Sequence, residues 1–194
     1  TWGDGFSLLD EKSVDSIMNY VFRDSVRDFL ARGSIDAKMF NHRICQMRSH
    51  YPEEIRQALF QPLDSHDTER FLWNCSGDIR RLKLAALFQL CFPGAPSIYY
   101  GDEIGLNGDN DPDCRRCMEW NPAKQNADVL SFYKKIIRIR KKNPCLRTGN
   151  IVPLVCEKMT YGYLCQSDNQ QIYVLINVAE DCLLYTSPSP RDTR

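Results

Sequence analysis

Apolar runs alternate with helical patterns along most of this 194-residue chain, and this alternation constrains the fold more than any other feature. Strand-like runs lie within residues 13–22, 58–64 and 95–103, and each precedes a segment whose apolar residues recur at helical spacing. Strands that alternate with helices are typical of a parallel sheet built from βαβ units. The sequence therefore predicts an α/β fold for residues 1–148.

Each predicted helix has a recognisable apolar face or end. The first predicted helix should end at Gly33. The segment that follows it has a mixed helical pattern, which should be interrupted at Pro52. Residues 78–94 are apolar on most of their circumference, which predicts a well-buried helix. Residues 127–144 predict an amphipathic helix whose inner side carries Val129, Phe132, Tyr133, Ile136 and Ile137.

The pattern changes after Gly149, where three short strand-like runs follow one another without a helix between them. This predicts the start of an antiparallel β-sandwich domain over residues 149–181. The last segment, residues 182–194, reads CLLYTSPSPRDTR and is similar to an in-frame translation of a transposase-type sequencing adapter. We expect it to be non-native; the alternative is a natural disordered tail rich in Ser and Pro.

The net charge and the cysteine content indicate which partners, cellular compartment and metal sites to expect. The chain has 25 basic and 25 acidic residues and a formal net charge of zero, so we expect no nucleic-acid partner and no membrane partner. The nine cysteines are scattered, which favours reduced thiols in a cytoplasmic protein. Cys114 and Cys117 form a C-x-x-C, but no second pair follows at zinc-ribbon spacing. We therefore expect no metal site and no cofactor.

Polar groups follow each predicted strand, and the SHDTER segment at residues 65–70 is the most compact of them. In a β/α barrel the carboxyl ends of the strands face one mouth, where catalysis takes place. His66 and Asp67 are therefore candidate active-site residues. The alternatives are an ordinary strand-end turn, or a helix N-cap made by Asp67 or Thr68.

The amino-acid sequences of three segments resemble those of a known family. DSIMNYVFRD at residues 15–24, LDSHDTERFL at 63–72 and the run from GAPSIYYGDE to CRRCMEW at 94–120 together resemble the alpha-amylase family of glycoside hydrolases. They are most similar to its neopullulanase, cyclomaltodextrinase and maltogenic amylase branch. The resemblance implies an eight-stranded (β/α)8 TIM-type barrel, of which this chain would hold strands six to eight, followed by an antiparallel β domain.

The resemblance also implies roles for four residues. The family hydrolyses glycosides with retention, using an aspartate nucleophile, a glutamate acid/base and a third aspartate that stabilises the transition state. By resemblance, Asp67 is this third aspartate and His66 binds sugar hydroxyls beside it. Asp111 and Arg115 resemble a family pair that clasps the sugar, and the alternative for them is a surface ion pair in a loop.

Motifs for the nucleophile and for the acid/base have no counterpart in this sequence. We therefore expect the chain to be a fragment that is inactive alone, from a parent that cleaves alpha-glucosidic bonds in cyclodextrins, maltooligosaccharides, pullulan or starch. The resemblance further implies that the parent could be a homodimer. The alternatives are an oligosaccharide alpha-glucosidase of the same family and a non-catalytic, amylase-like binding protein.

Overall fold

The computed structural model describes residues 16–179. Within them, helices α1 to α7 comprise Tyr20–Val26, Ala37–His50, Glu53–Ala58, Phe71–Asn74, Ile79–Cys91, Ala127–Lys142 and Cys145–Thr148. Strands β1 to β5 comprise Phe60–Pro62, Ala95–Ser97, Asn150–Glu157, Thr160–Ser167 and Gln170–Asn177. A π-helical turn, Arg27–Ala31, extends α1, and short 3-10 helices comprise Asp102–Ile104, Asp113–Arg115 and Pro122–Lys124.

The first sheet is parallel, as the alternating pattern predicts. β1 pairs with β2 in the register Phe60 to Ala95, and a single parallel bridge joins Met18 to the other side of β1 at Phe60. Helices α2 and α3 lie between the Met18 bridge and β1, and α4 and α5 connect β1 to β2. These crossovers are the βαβ units that the sequence predicts for this part of the chain.

The strand predicted across residues 13–22 is wrong in its second half, because helix α1 already begins at Tyr20. The Asn19 side chain accepts a hydrogen bond from the Phe22 main-chain nitrogen at 3.0 Å, which caps the helix. Phe22 and Val26 are one turn apart and fully buried, so this apolar run serves a helix. Residues 13–15 lie outside the described residues.

The predicted helices are otherwise confirmed. Gly33 follows the π-helical turn with a φ of 61°, a left-handed conformation that glycine adopts without strain, and Pro52 separates α2 from α3. Helix α6 buries Val129, Tyr133 and Ile136, while Phe132 and Ile137 are half-buried along the same side.

The second sheet is an antiparallel meander in the order β3–β4–β5. Its inner face packs directly on the helices: the Phe40 ring lies 5.0 Å from the Tyr161 ring, and the Phe88 ring lies 6.0 Å from the Tyr163 ring. These aromatic side chains belong to one continuous apolar core that joins the parallel and antiparallel sheets.

A buried arginine fixes the segment that leads into the second sheet. Arg140, on the last turn of α6, donates hydrogen bonds to the main-chain carbonyl oxygens of Leu90, Phe92, Leu146 and Gly94 at 2.5–2.9 Å. These bonds tie the end of α5 and the loop before β2 to helix α7.

Among residues 16–179, no helix combines the length and the apolar character needed to cross a bilayer.

Candidate active site

The turn that follows β1 is built by two buried hydroxyls. The Ser65 main-chain nitrogen donates to Thr68 Oγ1 at 3.1 Å, and the Asp67 main-chain nitrogen donates to Ser65 Oγ at 3.2 Å. Such local side-chain bonds replace regular structure and stabilise tight turns. Ser65 and Thr68 are buried, whereas His66 and Asp67 are exposed at the tip. The turn therefore presents the two candidate residues to solvent.

The carboxylate of Asp67 faces two nitrogen-bearing side chains. Its Oδ1 lies 3.2 Å from His66 Nε2 and 3.9 Å from a terminal nitrogen of Arg115. About half of the Asp67 side chain, 52%, remains accessible. The carboxylate is thus oriented by its neighbours and still open to a ligand.

Arg115 connects Asp111 to His66. Its Nε lies 2.8 Å from Asp111 Oδ1 and donates to the His66 carbonyl oxygen at 3.1 Å. The 3-10 helix Asp113–Arg115 places the guanidinium there, although His66 is 49 residues away in sequence. The structure therefore brings His66, Asp67, Asp111 and Arg115 into one exposed cluster, which we call the His66–Arg115 cluster.

Neither alternative use of the turn as a helix cap agrees with this geometry. Helix α4 has Arg70 at its N-cap position, and the main-chain nitrogen of its first residue, Phe71, donates to Asp64 Oδ2 at 2.7 Å and not to Asp67 or Thr68. Thr68 Oγ1 accepts instead from the Ser65 main-chain nitrogen. The Asp111–Arg115 ion pair is at the surface, as the alternative for that pair supposed, with side chains 58% and 48% accessible. This exposure leaves both side chains of the Asp111–Arg115 pair accessible to a ligand.

Arg70 is the most consequential residue that sequence reasoning did not single out. Its side chain is fully buried, and its Nε donates to the Cys114 carbonyl oxygen at 2.9 Å. Its NH1 donates to the Tyr100 carbonyl oxygen at 2.5 Å, and its guanidinium lies 4.0 Å from the centre of the Tyr99 ring. Arg70 therefore fastens the turn after β1 to two other loops at once. The sequence signal that could have pointed to Arg70 is its position directly before the apolar run that forms helix α4.

Glu69 and Arg23 are a second pair that was missed. The Arg23 side chain is 2% accessible, with NH1 2.8 Å from Asp24 Oδ1 and NH2 3.2 Å from Glu69 Oε2. This bridge ties helix α1 to the turn that carries Asp67. Within SHDTER, His66 and Asp67 face solvent, and the other four residues hold the turn in place.

Asn19, Tyr100 and Cys114 make contacts within the protein. The Asn19 side chain caps α1, and the Tyr100 hydroxyl donates to the Arg116 carbonyl oxygen at 2.7 Å. Cys114 is buried with its Sγ 3.4 Å from the His66 carbonyl oxygen, whereas Cys117 is exposed. Over residues 16–179, no group of three or more His, Cys, Asp or Glu side chains is arranged to hold a metal ion.

Comparison with known proteins shows the family of the chain. The model of the alpha-amylase catalytic domain matches residues 7–149. The chain belongs to the alpha-amylase family. The resemblance carried by the three sequence segments is thereby confirmed, and the βαβ units of residues 16–148 form part of a TIM-barrel catalytic domain followed by an antiparallel sheet.

Individual alpha-amylase relatives cover nearly the whole chain. A cyclomaltodextrinase from Thermoanaerobacter pseudethanolicus is 42% identical over 176 residues, which are 91% of this chain and 31% of the relative. Neopullulanase 2 from Thermoactinomyces vulgaris is 43% identical over 178 residues, 91% of this chain and 30% of the relative. A solved cyclomaltodextrinase structure superposes with a TM-score of 0.88 at 40% identity, covering 91% of this chain and 31% of the other. The chain spans about a third of the length of these relatives.

Proposed function

We propose that the full-length protein containing this chain is a retaining alpha-glucan hydrolase or transglycosylase. Its substrates would be cyclodextrins, maltooligosaccharides, pullulan or starch, and Asp67 would stabilise the transition state. The observation that carries the proposal is the accessible Asp67 carboxylate, flanked by His66 and Arg115 after a parallel strand of an alpha-amylase domain. The names of the relatives, cyclomaltodextrinase and neopullulanase, support this class of substrate.

Asp67 suits this role because of the charge that develops during glycoside cleavage. The transition state resembles an oxocarbenium ion, whose positive charge is absent from the bound substrate. An anion held in place before the reaction stabilises that charge selectively and so lowers the barrier. The Ser65–Thr68 turn supplies the fixed position, since the Asp67 main chain is hydrogen-bonded to Ser65.

The other three residues would bind the sugar. The His66 ring is 62% accessible beside Asp67, where its nitrogens can hydrogen-bond hydroxyl groups. Arg115 offers a planar set of donors held by Asp111 and by the His66 carbonyl oxygen, so its orientation is set before a ligand arrives. An arginine with fixed orientation loses little conformational entropy when it binds neighbouring hydroxyls.

The proposal includes the division of the chain and its dependence on the rest of the protein. We assign residues 1–148 to barrel strands six to eight and residues 149–181 to a β-sandwich domain. The nucleophile and the acid/base would come from other parts of the full-length protein, so the 194-residue chain alone would not cleave alpha-glucans. Hydrolysis of cyclodextrin by the purified chain above the buffer blank would overturn this last statement.

The test is hydrolysis of beta-cyclodextrin, maltotriose, pullulan and starch by the full-length protein and its Asp67→Asn variant. We expect Asp67→Asn to lower kcat by roughly 10²–10³, because the substitution removes a preorganised charge at the reacting centre. The matched control is Asp168→Asn, an exposed aspartate outside the cluster in the turn between β4 and β5, which should retain full activity. Activity of Asp67→Asn equal to that of Asp168→Asn would refute the assignment of Asp67.

The same substrates separate the alternatives. Hydrolysis of maltotriose with no action on cyclodextrin or pullulan would indicate an oligosaccharide alpha-glucosidase. Binding of maltooligosaccharides by calorimetry with no hydrolysis of any substrate would indicate a non-catalytic binding protein. Either result would replace the proposed activity.

A further inference from the structure

We propose that Cys145 and Cys165 form a disulfide when the protein folds under oxidising conditions, and that this bond fastens helix α7 to strand β4. Both cysteines are free thiols in this structure, and both are buried, at 1% and 0% exposed. They are 20 residues apart in sequence, where the chain passes from the helices into the antiparallel sheet. The inference goes beyond the proposed function, because it concerns the stability of the protein and not its action on glucans.

The two sulfur atoms are already in contact. Cys145 Sγ lies 3.4 Å from Cys165 Sγ, and Cys165 Sγ donates a hydrogen bond to the Cys145 carbonyl oxygen at 3.0 Å. A disulfide bond is about 2.0 Å long, so the sulfur atoms need to approach each other by about 1.4 Å. A displacement of this size is within the range of a side-chain rotation.

The surroundings hold both cysteines in place. The Cys145 main-chain nitrogen donates to Gln170 Oε1 at 3.2 Å, and its carbonyl oxygen accepts from the Gly149 main-chain nitrogen at 2.8 Å. A Cβ on Gly149 would lie only 2.9 Å from Cys145 Sγ, so the space beside the sulfur is filled. Cys165 lies on β4, which pairs with β3 on one side and with β5 on the other. Two groups fixed in contact have a high effective concentration for reaction with each other.

This contact distinguishes Cys145 and Cys165 from the other cysteines. Among residues 16–179, no other two cysteines are hydrogen-bonded to each other. Cys91, the last residue of α5, is also buried and is the alternative partner that an experiment has to exclude. The exposed Cys45 and Cys117 lie outside the core and have no such contact.

Bond formation requires an electron acceptor, for which a small disulfide such as oxidised glutathione is sufficient. The thiolate of one cysteine attacks the glutathione disulfide, forms a mixed disulfide and releases one glutathione thiol. The second cysteine then attacks the protein sulfur of the mixed disulfide and releases the second glutathione thiol. The two protein thiols thereby lose two electrons and two protons, which the glutathione disulfide gains.

Burial determines when this exchange takes place. It raises the pKa of the Cys165 thiol and separates both sulfur atoms from solvent, whereas the exchange needs an accessible thiolate. The bond should therefore form while the chain folds and react slowly once the core is closed. The same burial protects a completed disulfide from reductants.

The pair lies at the opposite end of the parallel sheet from the His66–Arg115 cluster. Gly94, directly before β2, donates to the Arg147 carbonyl oxygen at 3.1 Å, which places α7 at the amino end of β2. The cluster follows the carboxyl end of β1, and β1 is parallel to β2. The disulfide should therefore change stability and leave the cluster unaltered.

The experiment refolds the reduced, urea-unfolded full-length protein in a buffer of oxidised and reduced glutathione, alkylates the free thiols and digests the product with trypsin. Trypsin releases Cys145 in the peptide NPCLR, residues 143–147, and Cys165 in the peptide that begins at Met159. Mass spectrometry should find these two peptides joined, and reduction should separate them. The oxidised protein should unfold at a Tm roughly 5 °C above that of the reduced protein.

Serine variants assign the effect to this pair. Cys145→Ser and Cys165→Ser should each abolish the joined peptides and the difference in Tm between oxidised and reduced protein. The matched control is Cys45→Ser, at an exposed cysteine of α2, which should retain both. The peptide map of the wild type decides the pairing even where a buried serine prevents folding.

Three results would overturn the proposal: recovery of NPCLR only in its alkylated form after oxidative refolding, a bond from Cys145 to Cys91, or an oxidised protein no more stable than the reduced one. A difference in kcat/KM for maltooligosaccharides between the two forms would contradict the placement of the pair away from the cluster. The peptide map and the Tm do not depend on hydrolysis. Failure of the proposed function would therefore leave this inference standing, and failure of this inference would leave the proposed function standing.

Discussion

Arg70 Nε donates a hydrogen bond to the carbonyl oxygen of Cys114 at 2.9 Å, so a buried guanidinium joins two loops that are 44 residues apart in sequence. The same side chain reaches the Tyr100 carbonyl oxygen. The relative position of Asp67 and Arg115 therefore depends on a residue that faces neither solvent nor ligand.

We expect Arg70→Lys to lower the free energy of unfolding by about 3 kcal/mol, because a lysine ammonium cannot replace the planar fork and leaves buried partners unpaired. The measurement is urea unfolding of the full-length protein. The matched control is Arg116→Lys, an exposed arginine paired with Asp113 in the neighbouring loop, which should change stability by less than about 0.5 kcal/mol. Equal effects of the two substitutions would contradict the role of Arg70.

Arg115→Ala should raise KM for maltooligosaccharides by about tenfold with a smaller change in kcat, since charge-assisted hydrogen bonds to the substrate are lost in both the ground state and the transition state. Steady-state kinetics of the full-length protein provide the measurement. Arg116→Ala is the matched control, because Arg116 points to Asp113 and has no contact with Asp67 or Asp111 among the described residues. A fall in kcat at constant KM would place Arg115 at the reacting centre instead.

Asp78 caps helix α5, with Oδ1 accepting from the Arg80 main-chain nitrogen at 2.8 Å. Hydrogen bonds from Arg80 hold the pKa of this carboxyl below its usual value. A lowered pKa in the folded state means that the ionised carboxylate stabilises the fold above the unfolded-state pKa. That contribution is lost as the pH falls through the folded-state pKa.

Asp78→Ala should therefore reduce the free energy of unfolding by about 1 kcal/mol at neutral pH and by less in acid. Chemical denaturation at a series of pH values measures the difference. Asp78→Asn keeps an oxygen that can cap the helix and serves as the control, with most of the stability retained. A penalty for Asp78→Ala that does not shrink in acid would show that the charge contributes nothing.

Thiol labelling should divide the cysteines by burial. Cys45 and Cys117 are exposed, whereas burial raises the pKa of the Cys75 thiol to about 12 and that of the Cys91 thiol to about 11. Because the thiolate is the reactive form, iodoacetamide at pH 8 should modify Cys45 and Cys117 before the other cysteines of residues 16–179. Mass spectrometry of tryptic peptides reports the order, and rapid labelling of Cys75 in the folded protein would be inconsistent with the described core.

The helices were predictable because burial imposes a period that the sequence displays. Val129, Tyr133 and Ile136 recur along α6 at the spacing of one face, and the structure buries them. The strand predicted through Phe22 failed for a related reason. A continuous apolar run fits a buried strand and a buried helix equally well, and the Asn19 cap decides between them.

The candidate site was only partly predictable. His66 and Asp67 are predicted both by their position after a strand and by resemblance to a family motif, whereas Asp111 and Arg115 are predicted by resemblance alone. The grouping of these four residues in space is a structural result. Arg70 was missed because its partners are main-chain carbonyl oxygens, which every residue carries and no motif marks.

The contact between the Phe40 and Tyr161 rings has a consequence for how the molecule comes apart. The antiparallel sheet provides the aromatic lining of a core that the helices cannot close alone, and Arg140 holds the connecting segment by four carbonyl oxygens. Heat should therefore melt both sheets in one cooperative step, with a single calorimetric peak. Cutting the chain at Gly149 would expose Phe40 and Phe88 to water and turn the remaining helices into an aggregation-prone species.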